Sequence, residues 1–243
     1  MKIAIFTANI DKYDTVKVVK SSFLESDKFQ FTPYYFSNSS DEEIEARDNG
    51  WKFVYVDPLN MSAVDFSKFI KIVPQNFNFM NDFDAWVWVD GNRYIKGSMH
   101  DLVEEYIAIG NDFISMTHVR SKYNCIYREL EECKIHPRGY LQGKDPEQKR
   151  RINKLFDRQI GSYQHEGVPS QCYPHVENGT IYRCNTKNNQ LLSLLWWAEY
   201  WRVQNSRDQV PLRYVAWRFK FKLGRISRSH VLTKYIGCNR HCD

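Results

Sequence analysis

The chain has 243 residues, of which 42% are hydrophobic and 15% are aromatic. That length and apolar content are enough to bury a core, and they exclude a disordered or collagen-like chain. The 34 Lys and Arg residues outnumber the 29 Asp and Glu residues by five, and many positive charges fall late in the sequence. This basic segment favours an anionic partner, namely a nucleoside diphosphate, an anionic lipid surface or a nucleic acid, although a solvated helix face has the same composition.

No stretch reaches the roughly 18 consecutive apolar residues that a membrane helix needs. The apolar run at residues 3–6 is ended by Asn9 and Asp11 too early for a signal peptide, so we expect the chain to begin at its first strand. Six cysteines are too sparse for a disulfide scaffold, which predicts reduced thiols in a cytoplasmic protein. Cys238, His241 and Cys242 could hold a metal, but such a terminal segment is more often loosely ordered.

The first half alternates short apolar runs with polar or amphipathic stretches. Ala85–Val89 is apolar on both faces and rich in β-branched and aromatic residues, which predicts a central strand covered on both sides. Pro74 ends the helical pattern of residues 62–72. The other predicted elements of this half are strands over residues 2–8, 31–36, 52–56 and 112–119 and helices over residues 41–48 and 99–109.

The second half is dominated by helical patterns. Asp145 and Pro146 supply an N-cap and a first-turn proline for a helix over residues 145–164. Further helices are predicted over residues 124–134, 188–203 and 209–222, and a strand over residues 180–184. Strands separated by helices predict an α/β fold with a mostly parallel central sheet, and no repeat or linker divides the chain into further domains.

The strongest candidate for chemistry is Asp90, which directly follows the predicted central strand. In open α/β sheets, ligands bind at the carboxyl ends of the strands. Asp90, with Gly91 allowing a tight turn and the Asn92 amide two residues on, could bind a divalent cation that also holds phosphate oxygens. The same three residues are also ordinary turn chemistry.

Two other polar segments could face a substrate. Asn178 and Gly179 precede a predicted strand, where a small amide side chain and exposed backbone can contact a sugar. Asp208 could face a substrate or could belong to the N-cap of a helix, but an N-cap does not account for the adjacent Arg207 and Gln209. At the amino end, the loop after the first strand could receive a nucleotide or could be a simple turn, and it lacks the glycine-rich signatures of dinucleotide-binding and P-loop proteins.

Several segments, in this order, carry a family resemblance over most of the chain. They are residues 3–8 (IAIFTA) with Tyr13 and Asp14, 71–74 (KIVP), 88–92 (WVDGN), 125–129 (CIYRE), 166–169 (EGVP), 196–199 (WWAE) and 206–209 (SRDQ). Together they resemble the glycosyltransferase-like domains of plant pectin and mucilage-related proteins and of bacterial capsular polysaccharide proteins. The resemblance implies a GT-A fold, a nucleotide-binding half over residues 1–119, a donor and acceptor half over 120–225 and a basic tail over 226–243.

On that template the resemblance implies roles for individual residues, with Mn²⁺ or Mg²⁺ gripping the diphosphate of a nucleotide-sugar donor. His230 or His241 could add a third metal ligand. The chain departs from the family where Lys68 stands in place of an expected Arg and Asn92 in place of a second acid. The implied assignments are Asp90 and Asn92 for the metal, Thr7, Ala8, Asn9, Tyr13 and Lys71 for the nucleotide, and Asn178, Gly179, Arg207 and Gln209 for the donor sugar.

The implied reaction moves a sugar to a glycan or polysaccharide precursor, with a cation and nearby lysines stabilising the departing diphosphate. An inverting enzyme needs a carboxylate base, for which Asp208 is the first candidate and Glu177 the second, whereas a retaining enzyme needs none. The basic C-terminus could associate with a membrane surface. The alternatives are a non-catalytic nucleotide- or carbohydrate-binding module and, less in keeping with the motifs, a nucleic-acid-binding protein.

Overall fold

The computed structural model describes residues 1–118, 125–135, 145–171, 176–204 and 207–239. The strands are β1 (Lys2–Asn9), β2 (Gln30–Ser37), β3 (Lys52–Tyr55), β4 (Ala85–Val89), β5 (Arg93–Ile95), β6 (Phe113–Thr117), β7 (Val176–Cys184), β8 (Gly224–Ile226) and β9 (Ile236–Cys238). The α-helices are α1 (Glu42–Asp48), α2 (Ala63–Ile72), α3 (Met99–Ile109), α4 (Ile126–Ile135), α5 (Pro146–His165), α6 (Lys187–Val203), α7 (Gln209–Phe219) and α8 (Arg228–Lys234).

Seven strands form the central sheet in the order β3-β2-β1-β4-β7-β6-β8. The first four strands of that order run parallel to one another, β8 runs parallel to β6, and β7 is antiparallel to both of its neighbours. Strands β5 and β9 pair separately as an antiparallel ribbon. This arrangement confirms the predicted α/β fold with a mostly parallel sheet.

The two faces of the sheet carry separate apolar cores, because successive strand residues point to opposite sides. Phe6 and Trp88 belong to the core under α2, α6 and α7, whereas Ile5 and Val87 belong to the core under α3 and α8. All five residues of β4 are buried, as predicted for a central strand covered on both sides. The carboxyl end of β4 therefore emerges from the middle of the molecule.

The short strands β5 and β8 were not predicted, and two further regions differ from the predicted elements. The strand predicted from residue 180 begins at Val176, so the polar residues 177–179 lie inside β7 beside an irregularity in its pairing with β6. The segment predicted as a basic tail contains α8 and β9, and the buried Ile236 pairs with β5. The start of β7 and the strand β9 could not be predicted from local sequence, because their pairing partners lie far away in the chain.

In the part of the chain that the structure describes, no helix has the length and apolar character needed to cross a bilayer.

Candidate functional site

Two lysines of α2 point toward the carboxyl edge of the sheet. The Ser62 hydroxyl caps the helix by accepting a hydrogen bond from the backbone N–H of Asp65. Lys68 and Lys71 are three residues apart, so they lie on the same face of the helix. The Lys68 Nζ is 3.0 Å from an oxygen of Asp208, and the buried Lys71 Nζ is 3.2 Å from Asp208 and 3.2 Å from Asp90.

Asp90 occupies the predicted position at the exit of β4. The Trp88 indole donates a hydrogen bond of 2.6 Å to the carboxylate oxygen that also contacts Lys71. Burial would raise the pKa of Asp90, but the positive charges of Lys71, Lys68 and Arg93 outweigh burial and lower that pKa. The lowered pKa favours the ionised carboxylate, and with 34% of the side chain exposed the carboxylate is accessible from solvent.

Asp208 completes this cluster from the start of α7. Its side chain makes no capping hydrogen bond to the helix. The carboxylate instead contacts both lysines and accepts a hydrogen bond of 3.1 Å from the Asn178 amide. We call Lys68, Lys71, Asp90, Asn178 and Asp208 the lysine cluster; it brings together four residues predicted for the metal, nucleotide, sugar and base roles.

The charges in the lysine cluster limit what Asp208 can do as it stands. Burial would raise the pKa of Asp208, but the ammonium groups of Lys68 and Lys71 outweigh it and hold that pKa far below the ordinary value. A carboxylate with so low a pKa is a weak proton acceptor. Asp208 in this arrangement anchors the two lysines, and the predicted base role requires the lysines to move to another anion.

A buried arginine fixes the end of α2 that carries Lys71. Arg183 lies on β7 with no exposed surface, and its guanidinium donates hydrogen bonds to the carbonyl oxygens of Lys71 and Ile72 and to the Ser193 hydroxyl. Burial lowers the pKa of Arg183. The sequence offers no signal for this role, because a buried arginine cannot be distinguished from an exposed one by its neighbours along the chain.

Glu177, the second predicted base, lies on the opposite face of the sheet from Asn178. Its two carboxylate oxygens form ion pairs with Arg93 and Arg228. Gly179 allows the Arg93 guanidinium to approach, since a Cβ at this position would lie 2.3–2.5 Å from guanidinium atoms. Glu177 and Gly179 therefore build a second charged group, separated from the lysine cluster by the strand itself.

The predicted nucleotide loop lies beside this second group. Thr7 and Asn9 line a small cavity together with Gly91 and Arg93. The Asn9 amide donates to Glu42 and to the backbone of the loop, and it accepts from the Asp14 N–H, so its hydrogen-bonding capacity holds the loop in shape. The Thr7 hydroxyl, in contrast, is buried without a hydrogen-bond partner among the described residues.

The remaining predicted residues are distributed around these two groups. Ala8 is buried in the same core as Trp88, and Tyr13 is 67% exposed at the loop tip, as a ring that stacks on a base would need to be. The Gln209 amide oxygen is buried without a hydrogen-bond partner in the described chain. Arg207 pairs with Glu129 of α4, so its charge is already engaged.

At the β4 exit, Asp90 and Asn92 could supply oxygen ligands to a cation that is shared with a substrate phosphate, although no group of three or more His, Cys, Asp or Glu side chains that could hold a metal occurs among the described residues. A magnesium-type site commonly uses one or two protein oxygens and completes its shell with water and phosphate. Asp90 supplies a partly exposed carboxylate, which also forms an ion pair with Lys71. The Asn92 amide nitrogen lies 3.9 Å from the Cys238 sulfur. Of the two candidate third ligands, His230 is held by Glu105 of α3 at 2.7 Å, and His241 lies outside the described residues.

Comparisons with known proteins support the fold. No protein-family model matches the chain, and no curated protein matches it in sequence. The apo crystal structure of mouse xyloside xylosyltransferase 1 superposes with a TM-score of 0.52 at 11% identity, covering 93% of this chain and 85% of that one. The chain therefore has a GT-A-type glycosyltransferase fold, and the predicted fold class is confirmed.

Proposed function

We propose that this chain transfers a sugar from a nucleotide-diphosphate sugar to a glycan or polysaccharide precursor. The observation that carries the proposal is the lysine cluster, where two ammonium groups and two ionised carboxylates meet at the carboxyl edge of a GT-A-type sheet. Sheets of this kind bind ligands at that edge. The superposed xylosyltransferase is consistent with a glycosyltransferase activity.

Lys68 and Lys71 would act on the leaving group. Departure of the diphosphate builds negative charge on its oxygens, and positioned ammonium groups stabilise that charge in a site with little water. Lys71 is pre-positioned by Arg183 and by its contacts with two carboxylates. When the donor diphosphate binds, its oxygens become alternative partners for both ammonium groups.

Asp90 and Asn92 would hold Mn²⁺ or Mg²⁺ when the donor is bound. A bound divalent cation would neutralise part of the diphosphate charge. Asp90 is suited to this role because it is ionised and partly exposed. We place Thr7 and Tyr13 toward the nucleoside, since the buried Thr7 hydroxyl has no partner among the described residues. We place Gln209 and Asn178 toward the donor sugar, since the Gln209 amide oxygen is likewise unpaired and Asn178 lies in the lysine cluster.

Asp208 is the carboxylate we assign to the acceptor hydroxyl if transfer inverts the anomeric centre. Movement of Lys68 and Lys71 onto the diphosphate would free its oxygens and raise its proton affinity. Glu177 is less suited, because two arginines hold it on the other face of the sheet. A retaining reaction would leave Asp208 in its anchoring role.

Lys68→Gln is expected to weaken binding of a nucleoside diphosphate by about tenfold, since a charge-assisted contact to phosphate is lost. The side chain is 21% exposed and Asp208 keeps its contact with Lys71, so the protein should stay folded. Isothermal titration with UDP and GDP measures the effect. Lys187→Gln, at an exposed position of α6, is the matched control. Equal affinity in the two variants would contradict the assignment of Lys68.

Asp90→Ala is expected to remove the dependence of donor binding on Mn²⁺ while the protein stays folded. The wild-type protein should bind UDP- or GDP-sugars more tightly with Mn²⁺ than after treatment with EDTA. Titration in both conditions, with circular dichroism as the folding control, tests this. A wild-type affinity that is unchanged by EDTA would contradict the metal role of Asp90 and Asn92 and leave the lysines as the diphosphate ligands.

A non-catalytic binding module is the second candidate function. The observation that favours it is that both candidate bases are held by cations, Asp208 by two lysines and Glu177 by two arginines. Hydrolysis of the bound donor separates the candidates, because an active transferase slowly transfers sugar to water. Binding without any hydrolysis or transfer would favour the module.

The cytoplasmic location and the membrane association through the basic C-terminal segment stay predictions.

A further inference from the structure

A second cavity, of about 420 Å³, lies between the amino end of α2, the first half of α5 and the carboxyl end of α6. That volume falls within the roughly 300–1,000 Å³ of small-molecule sites. Neither the lysine cluster nor the nucleotide loop contributes a side chain to it. We call it the helix groove; its polar and aromatic lining comprises Asp65, Gln148, Arg151, Tyr200, Trp201 and Gln204.

The helix groove adjoins the lysine cluster through α2. Asp65 lies three residues before Lys68, one helical turn along the same face. The Tyr200 hydroxyl donates a hydrogen bond of 2.7 Å to Asp65, and the Ser62 hydroxyl donates one of 2.7 Å to the other carboxylate oxygen. These bonds fix the position of Asp65, which places the wall of the groove about one helical turn from Lys68.

The lining of the helix groove matches the chemistry of a carbohydrate. Trp201 is 46% exposed although it is a large aromatic residue, and it packs against Trp197 at 5.6 Å, which holds its ring in place. A fixed indole offers a flat apolar surface for the C–H face of a sugar ring. The amides of Gln148 and Gln204 can donate to and accept from hydroxyl groups.

The charge of the helix groove favours an anionic chain. Arg151 lines the groove, is exposed, and makes no ion pair within the described chain. Its helix carries further exposed basic residues at Lys149, Arg150, Lys154 and Arg158. Asp65, the one carboxylate among the described lining residues, is already hydrogen-bonded on both oxygens. A guanidinium in this setting is suited to bidentate binding of a carboxylate.

We infer that the helix groove binds the acceptor, a glycan chain that carries uronic-acid carboxylates, with one ring on Trp201 and a carboxylate on Arg151. The role as acceptor site rests on the proposed function. Binding of the acidic glycan itself does not, because the groove is separate from the lysine cluster.

The test titrates wild-type protein with tetrasaccharides of glucuronate, mannuronate and galacturonate and with their methyl esters, which keep the rings and remove the charge. We expect at least one free acid to bind and its ester to bind about tenfold more weakly. Arg151→Ala should weaken the acid about tenfold and the ester little. Trp201→Ala should weaken both forms about tenfold, because an aromatic contact is lost from each.

Matched controls lie on the same helices outside the groove. Arg150→Ala removes another exposed charge from α5, and Leu194→Ala removes an apolar side chain, 48% exposed, from α6. Both should bind the acids as the wild type does. Equal weakening by Arg150→Ala and Arg151→Ala would overturn the inference, because it would indicate diffuse attraction to a basic helix. Absence of binding to every acid, or preference for anionic phospholipid vesicles over the oligosaccharides, would also overturn it.

Donor titration of the same variants separates this inference from the proposed function. Arg151→Ala and Trp201→Ala should bind UDP- or GDP-sugars and hydrolyse them at the wild-type rate, since neither residue touches the lysine cluster. Absence of donor binding to the wild-type protein would contradict the proposed function but not the binding of the acidic glycan. Normal donor hydrolysis with no effect of either variant on glycan binding would defeat the groove assignment alone.

Discussion

Asp208→Asn is expected to lower the free energy of unfolding by about 3–5 kcal/mol, the usual cost of removing one member of a buried ion pair, and to abolish sugar transfer if transfer inverts the anomeric centre. The substitution keeps the shape of the side chain and removes the charge that compensates Lys68 and Lys71. Among the described residues, Lys71 would then retain only Asp90 as an anionic partner. Urea unfolding and a transfer assay measure the two effects, with Asp48→Asn at the exposed end of α1 as the control.

The pH dependence of stability gives a second measurement on the same variant. The pKa of Asp208 is lowered in the folded protein from an ordinary value of 3.8, so its carboxylate stabilises the fold above about pH 4. That contribution is lost as the pH falls through the lowered pKa. The wild-type protein should therefore lose stability on acidification more steeply than Asp208→Asn. If the free energy of unfolding falls equally steeply with acidification in both proteins, the buried ion-pair cluster would be contradicted.

Arg183→Met is expected to destabilise the protein by about 3 kcal/mol or more, because it leaves two buried carbonyl oxygens and a hydroxyl without their donor. The methionine fills much of the space between the Trp86 and Phe113 rings, which flank the guanidinium at 5.8 and 5.9 Å. Arg183→Lys should rescue little, since one ammonium cannot reproduce the planar set of donors. Thermal unfolding measures the loss.

Arg183 also positions Lys71, and a second readout tests that role. At a temperature at which the variant is still folded, Arg183→Met should weaken nucleoside diphosphate binding as well as lower stability. Arg158→Met, on the exposed face of α5, should change neither quantity. A variant that is destabilised but binds UDP or GDP with unchanged affinity would show that Arg183 supports the core and not the site.

The sequence predicted the position of Asp90 because the physics is local. The all-apolar pattern of Ala85–Val89 identifies a buried strand, and the first polar residue after it must emerge at the edge of the sheet. The assignment of Lys71 comes from the family resemblance, and Lys68 enters only as a departure from it. Their convergence with Asp208, however, depends on α6 and α7 folding back over the sheet, which no short window of sequence encodes.

The roles of Glu177 and Gly179 were harder to predict for a physical reason. Glu177 is polar and Gly179 is conformationally free, so the local sequence predicts a turn, yet both residues lie in β7. Strand alternation then sends Glu177 away from Asn178 and toward Arg93 and Arg228. Those arginines lie more than 45 residues from Glu177 in either direction, so the pairing is visible only in three dimensions.

A crystal structure of the protein soaked with UDP- or GDP-sugar and Mn²⁺ tests the central claim most directly. The account predicts diphosphate oxygens within hydrogen-bond distance of the Lys68 and Lys71 ammonium groups, and the cation on Asp90. A donor bound elsewhere, with Lys68 and Lys71 still paired to Asp208, would contradict it.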